Sequence, residues 1–134
     1  MTLGVPPAVG SNSQLVDGSW FYGLSGGTNM VVDTGITAYA SGGATSATQL
    51  PALNAFYSID TVGAGNASIA LPHALAGTWI VVFNNTGTNS MNVYPFQNGT
   101  DTIKNVTTAY ALIHNKAALF FSATDGQWAV IKSA

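Results

Sequence analysis

The sequence predicts an all-β fold, an antiparallel β-sandwich or jelly-roll-like barrel with an extended N-terminal arm. Three observations predict it. Short runs of β-branched and aromatic residues recur from Leu53 onward, polar turns rich in Asn and Gly separate them, and no segment carries helical periodicity.

The arm comes first. Residues 1–18 contain Pro6-Pro7, Gly4, Gly10 and the polar run Ser11-Asn12-Ser13. Pro-Pro favours polyproline II and steers the preceding residue away from helix. This predicts an extended arm on a single β domain spanning 19–134. Its apolar positions Leu3, Val5, Pro6, Pro7 and Val9 are candidates for contact with a partner.

WFYGL (20–24) and NMVVD (29–33) then read as short β runs split by a Ser25-Gly26-Gly27-Thr28 turn, and ASGGATSATQ (40–49) as a linker. Trp20, Phe21 and Tyr22 are adjacent, so one of them must leave the core face of any strand. They are candidates for a subunit interface or for a platform that stacks a sugar ring. The remaining strands are expected at 55–62, 67–71, 78–84, 91–96, 101–106, 109–114, 117–123 and 127–132. Asn98-Gly99 and Asp125-Gly126 between them are strong hairpin signals. Pro95 should end or bulge its strand at a sheet edge, since it has no N–H to donate.

Two strands stand out because they are apolar on both faces. In 127–132 alternation sets Trp128 and Val130 against Ala129 and Ile131, and Trp79 to Phe83 is apolar throughout. Strands of this kind are covered on both sides. Trp79 and Trp128 are expected as core anchors. In a small two-sheet fold the second cover must come from a loop, the arm or another subunit.

Composition points the same way. The chain has 134 residues, 47% of them hydrophobic and only 6% charged, where about 25% is usual. All five acids are Asp and all three bases are Lys, giving a net charge of −2. That much apolar material supports a core, and so little charge favours association. Nucleic-acid binding needs clustered Lys or Arg, whereas Lys104, Lys116 and Lys132 are isolated. Cysteine is absent. The N-terminus has no signal-peptide pattern, and no apolar run has the length of a membrane span, so a chain made soluble and without a membrane partner is expected.

No chemistry-bearing pattern emerges. His73 and His114 lack metal-ligand spacing, no G-x-S-x-G elbow occurs, and the Asp residues are scattered. Asp101 and Asp125 sit where turn chemistry accounts for them. GAGNAS (63–68) lacks the helix a phosphate loop requires and reads as a turn. The N-x-[ST] triplets at Asn66, Asn84, Asn98 and Asn105 are what an Asn- and Thr-rich chain supplies by chance. The expectation is a non-enzyme without metal or cofactor.

Residues 45–132 carry a further pattern: Leu71-Pro72, Ala76-Gly77-Thr78, the apolar Trp79 to Phe83, Asn84-Asn85, Asn92-Val93-Tyr94-Pro95, and Gly99 to Ile103 with Thr100 interposed. The order resembles small all-β virion proteins of tailed bacteriophages, which include capsid decoration (cement) proteins, head fibres and tail-associated adhesion modules. The resemblance implies a protein of the capsid surface, made in the host cytoplasm, that binds the major capsid protein and self-associates as a trimer. It also leaves open a head-fibre or tail module that binds host-surface carbohydrate.

Overall fold

The computed structural model describes residues 31–40, 43–51 and 56–134. Ten strands occupy them: β1 (Val32–Thr37), β2 (Thr48–Gln49), β3 (Phe56–Thr61), β4 (Ser68–Ala70), β5 (Trp79–Asn84), β6 (Met91–Tyr94), β7 (Thr102–Ile103), β8 (Tyr110–Leu112), β9 (Lys116–Thr124) and β10 (Gln127–Lys132). The described residues contain no helix. The fold is all-β, as the sequence predicts.

The pairing is not the expected antiparallel one. A six-stranded sheet runs β1-β3-β5-β9-β10-β7 and a four-stranded sheet runs β2-β4-β6-β8. Consecutive strands alternate between the sheets up to β9, and β1, β3 and β5 pair in parallel, as do β2, β4 and β6. The chain therefore winds in circuits, one strand in each sheet per circuit, in a solenoid-like arrangement. In the large sheet Val32 pairs with Phe56 and Phe56 with Val81, steps of 24 and 25 residues. Among the described strands antiparallel ladders join β5/β9, β9/β10 and β6/β8, and single antiparallel bridges join Tyr39 to Ser68 and Ile103 to Val106. Among the described strands only β9 and β10 form a hairpin of consecutive strands, through Asp125-Gly126 with Gly126 at φ 81°.

The hairpin expected at Asn98-Gly99 is thus a crossover. Asn85 to Ser90 carries the chain from β5 in one sheet to β6 in the other, and Asn98-Gly99 carries it from β6 to β7. Pro95 does end its strand, directly after Tyr94, but β6 lies inside its sheet rather than at an edge. The expected strand 101–106 is cut short at Ile103. Lys104 and Asn105 both take positive φ (54° and 66°), so Ile103 and Val106 exchange two backbone hydrogen bonds across a tight turn. The linker reading of 40–49 misses β2, a two-residue strand paired with β4.

Amide side chains fill the corners of the winding. Asn84 is buried at the end of β5; its Nδ2 donates to the carbonyls of Asn89 (2.9 Å) and Leu112 (3.1 Å), and Thr86 donates to its Oδ1. Asn89 Nδ2 donates to Val62 O at 2.7 Å, and Gln49 Nε2 to the carbonyls of Leu50, Ala70 and Leu71. Backbone that leaves a sheet loses its ladder partners, and a buried carbonyl without a donor is costly. The Asn-rich crossovers supply those donors without adding charge.

Between the sheets lies one core. Tyr57, Ile59, Ile80, Val82, Phe120 and Trp128 from the large sheet meet Ile69, Met91, Val93 and Leu112 from the small one. Trp128 anchors it as expected, with Nε1 donating to Pro72 O at 3.1 Å. Trp79 does not. Alternation from the buried Ile80 and Val82 turns it outward, and it is 46% exposed.

Candidate functional site: the outer face of the large sheet

The second apolar face anticipated from the sequence is present in register. Val32, Phe56, Val81, Leu119 and Ile131 are successive cross-strand partners on β1, β3, β5, β9 and β10. They form one row on the face opposite the core, with Val32 55% and Ile131 60% exposed at its two ends. A parallel row holds Trp79, Phe121 and Ala129, and a third holds Ser58, Phe83 and Ala117. β7 pairs only with Gln127 and Trp128, so at Ile131 strand β10 is the edge of the sheet. Among the described residues the row therefore runs from one edge strand to the other.

Charge is divided across this sheet. Its acids, Asp33 and Asp60, stand on β1 and β3; its bases, Lys116 and Lys132, stand on β9 and β10. Asp60 is tied to the corner of its own circuit. Asn85 Nδ2 and Ser58 Oγ donate to Oδ1 at 2.7 and 2.8 Å, and Gly35 N–H donates to Oδ2. Those hydrogen bonds, Asn85 first, hold its carboxyl below the usual carboxylate range.

A polar network lies elsewhere, at the loop after β4. His73 Nδ1 is 3.0 Å from both Asp101 oxygens, Asp101 also accepts from Ala74 N–H (2.9 Å) and Asn98 Nδ2 (2.8 Å), and the Asp101 side chain is fully buried. The sequence reading gave Asp101 only a local turn role; Asn98 Oδ1 does accept from Thr100 and Asp101 N–H, but the carboxylate reaches 28 positions back along the chain. Asp125 likewise accepts from Ala76 N–H. A carboxylate-oriented imidazole is two thirds of a nucleophilic triad, yet among the described residues His73 Nε2 has no hydroxyl partner. The arrangement joins two loops. His114 is half-buried, and no group of three metal-ligating side chains occurs among the described residues. GAGNAS is a turn, closed by Ala67 N–H on Ala64 O.

Beside that network is a cleft of about 270 Å³, lined in part by Thr45, Pro95, Phe96, Gln97, Asp101 and Thr107. Gln97 Nε2 fixes the far wall by donating to the carbonyls of Ala44 and Ala47. Leu3, Val5, Pro6, Pro7, Val9, Trp20, Phe21 and Tyr22 lie outside the described residues. Nothing in the sequence reading marked Val32, Phe56 or Leu119. The signal was there for Trp79 and Ile131, in strands apolar on both faces.

These features define an all-β body with one apolar face turned away from its core. Comparison with family models, curated proteins and solved structures finds no match to this chain. No helix among the described residues is long and apolar enough to cross a membrane.

Proposed function

We propose that this chain is a bacteriophage capsid decoration protein, which binds the assembled major capsid shell as a trimer and stabilises it. The observation that carries the reading is the apolar outer face, a surface suited to permanent cover in an assembly. The virion-protein resemblance of residues 45–132 supports the phage setting. On this reading the two sheets closed on one core act as a sandwich-type body, and residues 1–18 reach the shell. Binding only the assembled lattice favours that lattice by mass action, and many copies add avidity.

The test is attachment. Purified chain should bind expanded empty capsids in hundreds of copies per particle and raise their disruption temperature. Deleting residues 1–18 should abolish attachment; attachment that survives the deletion overturns the arm's role, and a handful of copies per particle overturns decoration.

A second reading, an adhesion module that binds host-surface carbohydrate, draws on the cleft. Phe96 offers a stacking surface, with Thr45, Gln97 and Thr107 as neutral polar neighbours. Glycan binding that Phe96→Ala removes without unfolding the chain would favour it.

A further inference from the structure

We infer that Asn98 is a site of spontaneous chemical modification. There the folded chain converts its own side-chain amide to aspartate and isoaspartate through a succinimide, and the conversion unlocks the crossover between β6 and β7. The inference holds whatever the chain binds.

Asn98-Gly99 is the one Asn-Gly pair in the sequence. The reaction joins the backbone nitrogen of the following residue to the Asn side-chain carbon, so a Cβ on that residue hinders it and glycine does not. Both residues are exposed, and a Cβ built on Gly99 would meet nothing within 4 Å, so water and base reach the pair. Folding also leaves the nucleophile available. Asn98 N–H donates to Phe96 O at 2.8 Å, and the N–H groups of Thr100 and Asp101 donate to Asn98 Oδ1 at 2.9 Å each. Gly99 N–H, between them, has no acceptor among the described residues. The electrophile is prepared by the same contacts. Two N–H donors on Oδ1 draw electron density from the side-chain carbon and stabilise the negative oxygen that forms on attack.

The chemistry consumes only water. Gly99 nitrogen loses its proton to hydroxide and bonds to Asn98 Cγ; Nδ2 gains a proton from water and leaves as ammonia, which closes the succinimide. Water then opens the ring. Opening at Cγ gives aspartate, and opening at the backbone carbonyl carbon gives isoaspartate, whose main chain runs through Cβ and is longer by one carbon.

The surroundings turn this change into a structural one. Asn98 Nδ2 donates to Asp101 Oδ1 at 2.8 Å, and the fully buried Asp101 side chain also holds His73 Nδ1 and Ala74 N–H. Either product removes the Asn98 donor, since a carboxylate only accepts, and sets a second negative charge in the same turn. The crossover carries Pro95, Phe96 and Gln97, which wall the cleft. Loss of its tie to Asp101 frees that wall from the loop after β4, in one direction and with time.

The test holds the full folded chain in mildly alkaline buffer beside the same chain unfolded in guanidinium chloride, and maps peptides at intervals by mass spectrometry with aspartate and isoaspartate resolved. Asn98 should convert first in the folded chain, at a rate no lower than in the unfolded one, while buried Asn84 and half-buried Asn89 stay intact. An Asn98 that survives folded while the unfolded chain converts overturns the inference. Gly99→Asn tolerates the same φ of 77° but adds a Cβ, and should slow the conversion strongly; an unchanged rate rules out Gly99 as the nucleophile. Asn98→Asp reads the consequence, as a lowered urea midpoint. Combined with Asp101→Asn its loss should be smaller than the sum of the two single losses, because an amide again faces a carboxylate. An unchanged midpoint for Asn98→Asp, or additive losses, overturns the unlocking.

Discussion

His73 and Asp101 join two loops across the sheet connections: Nδ1 of the half-exposed imidazole lies 3.0 Å from both oxygens of a carboxylate that is itself fully buried. The same carboxylate accepts from Ala74 N–H and Asn98 Nδ2. Asp101→Ala strips the acceptor from all three donors at once. The expected loss is about 3 kcal/mol, because a buried donor left without a partner costs about 1–3 kcal/mol. Asp101→Asn keeps one acceptor oxygen and should cost less than half of that. Urea unfolding reads both, as a shifted midpoint at unchanged slope.

Gly126 turns the β9–β10 hairpin at φ 81°. A Cβ built there meets its nearest neighbour, Asp101 Oδ1, at 3.8 Å, an ordinary contact. The cost of Gly126→Ala is therefore conformational, about 1–2 kcal/mol, and does not come from a clash. Gly126→Asn should recover part of it, since Asn tolerates this region better than Ala. Equal melting temperatures for the two variants would contradict that account.

Asn84 holds the corner where β5 leaves its sheet, and it reaches Leu112 O on β8 of the other sheet. Asn84→Ala leaves the Asn89 and Leu112 carbonyls without that donor in a buried setting. A loss of about 2 kcal/mol is expected, with amide exchange at β8 accelerated more than exchange at β10. Uniform acceleration would mean that Asn84 does not link the two sheets.

Asp60 gives the fold an acid-side dependence. Hydrogen bonds from Asn85, Ser58 and Gly35 lower its carboxyl in the folded state, so the folded chain prefers the ionised form. That stability is present above the unfolded value, near pH 4, and is lost as the pH falls through the lowered folded value. Removing the largest donor, with Asn85→Ala, should flatten the stability profile below about pH 4. Melting temperatures measured from pH 2 to pH 6 would show it, and parallel profiles for the two proteins would not support the role.

The strands were largely legible in the sequence, and their pairing was not. β-Branched and aromatic runs such as Trp79 to Phe83 and Gln127 to Lys132 are local signals, and their boundaries agree closely with β5 and β10. Whether Asn85 to Ser90 folds back or crosses to a second sheet depends on where β3 and β4 already lie, which no local residue encodes. β2 was missed because Thr48-Gln49 is bland and is held by backbone pairing with Ile69 and Ala70. Trp79 was misplaced because WIVVF is apolar at every position, so alternation alone cannot say which face is inward. The outer face was legible as chemistry, in the doubly apolar strands. Its continuity from Val32 to Ile131 appears only once parallel register aligns residues 99 positions apart.

Winding also constrains how such a chain can change length. A single residue inserted into a strand sends every later side chain of that strand to the wrong face. A whole circuit restores the alignment: the steps are 24 and 25 residues in the large sheet, from Val32 to Phe56 and from Phe56 to Val81, and 21 and 24 in the small one, from Thr48 to Ile69 and from Ile69 to Val93. Descendants of this molecule are expected to grow or shrink in full laps, while the antiparallel closure by β9 and β10 stays fixed as the end stop.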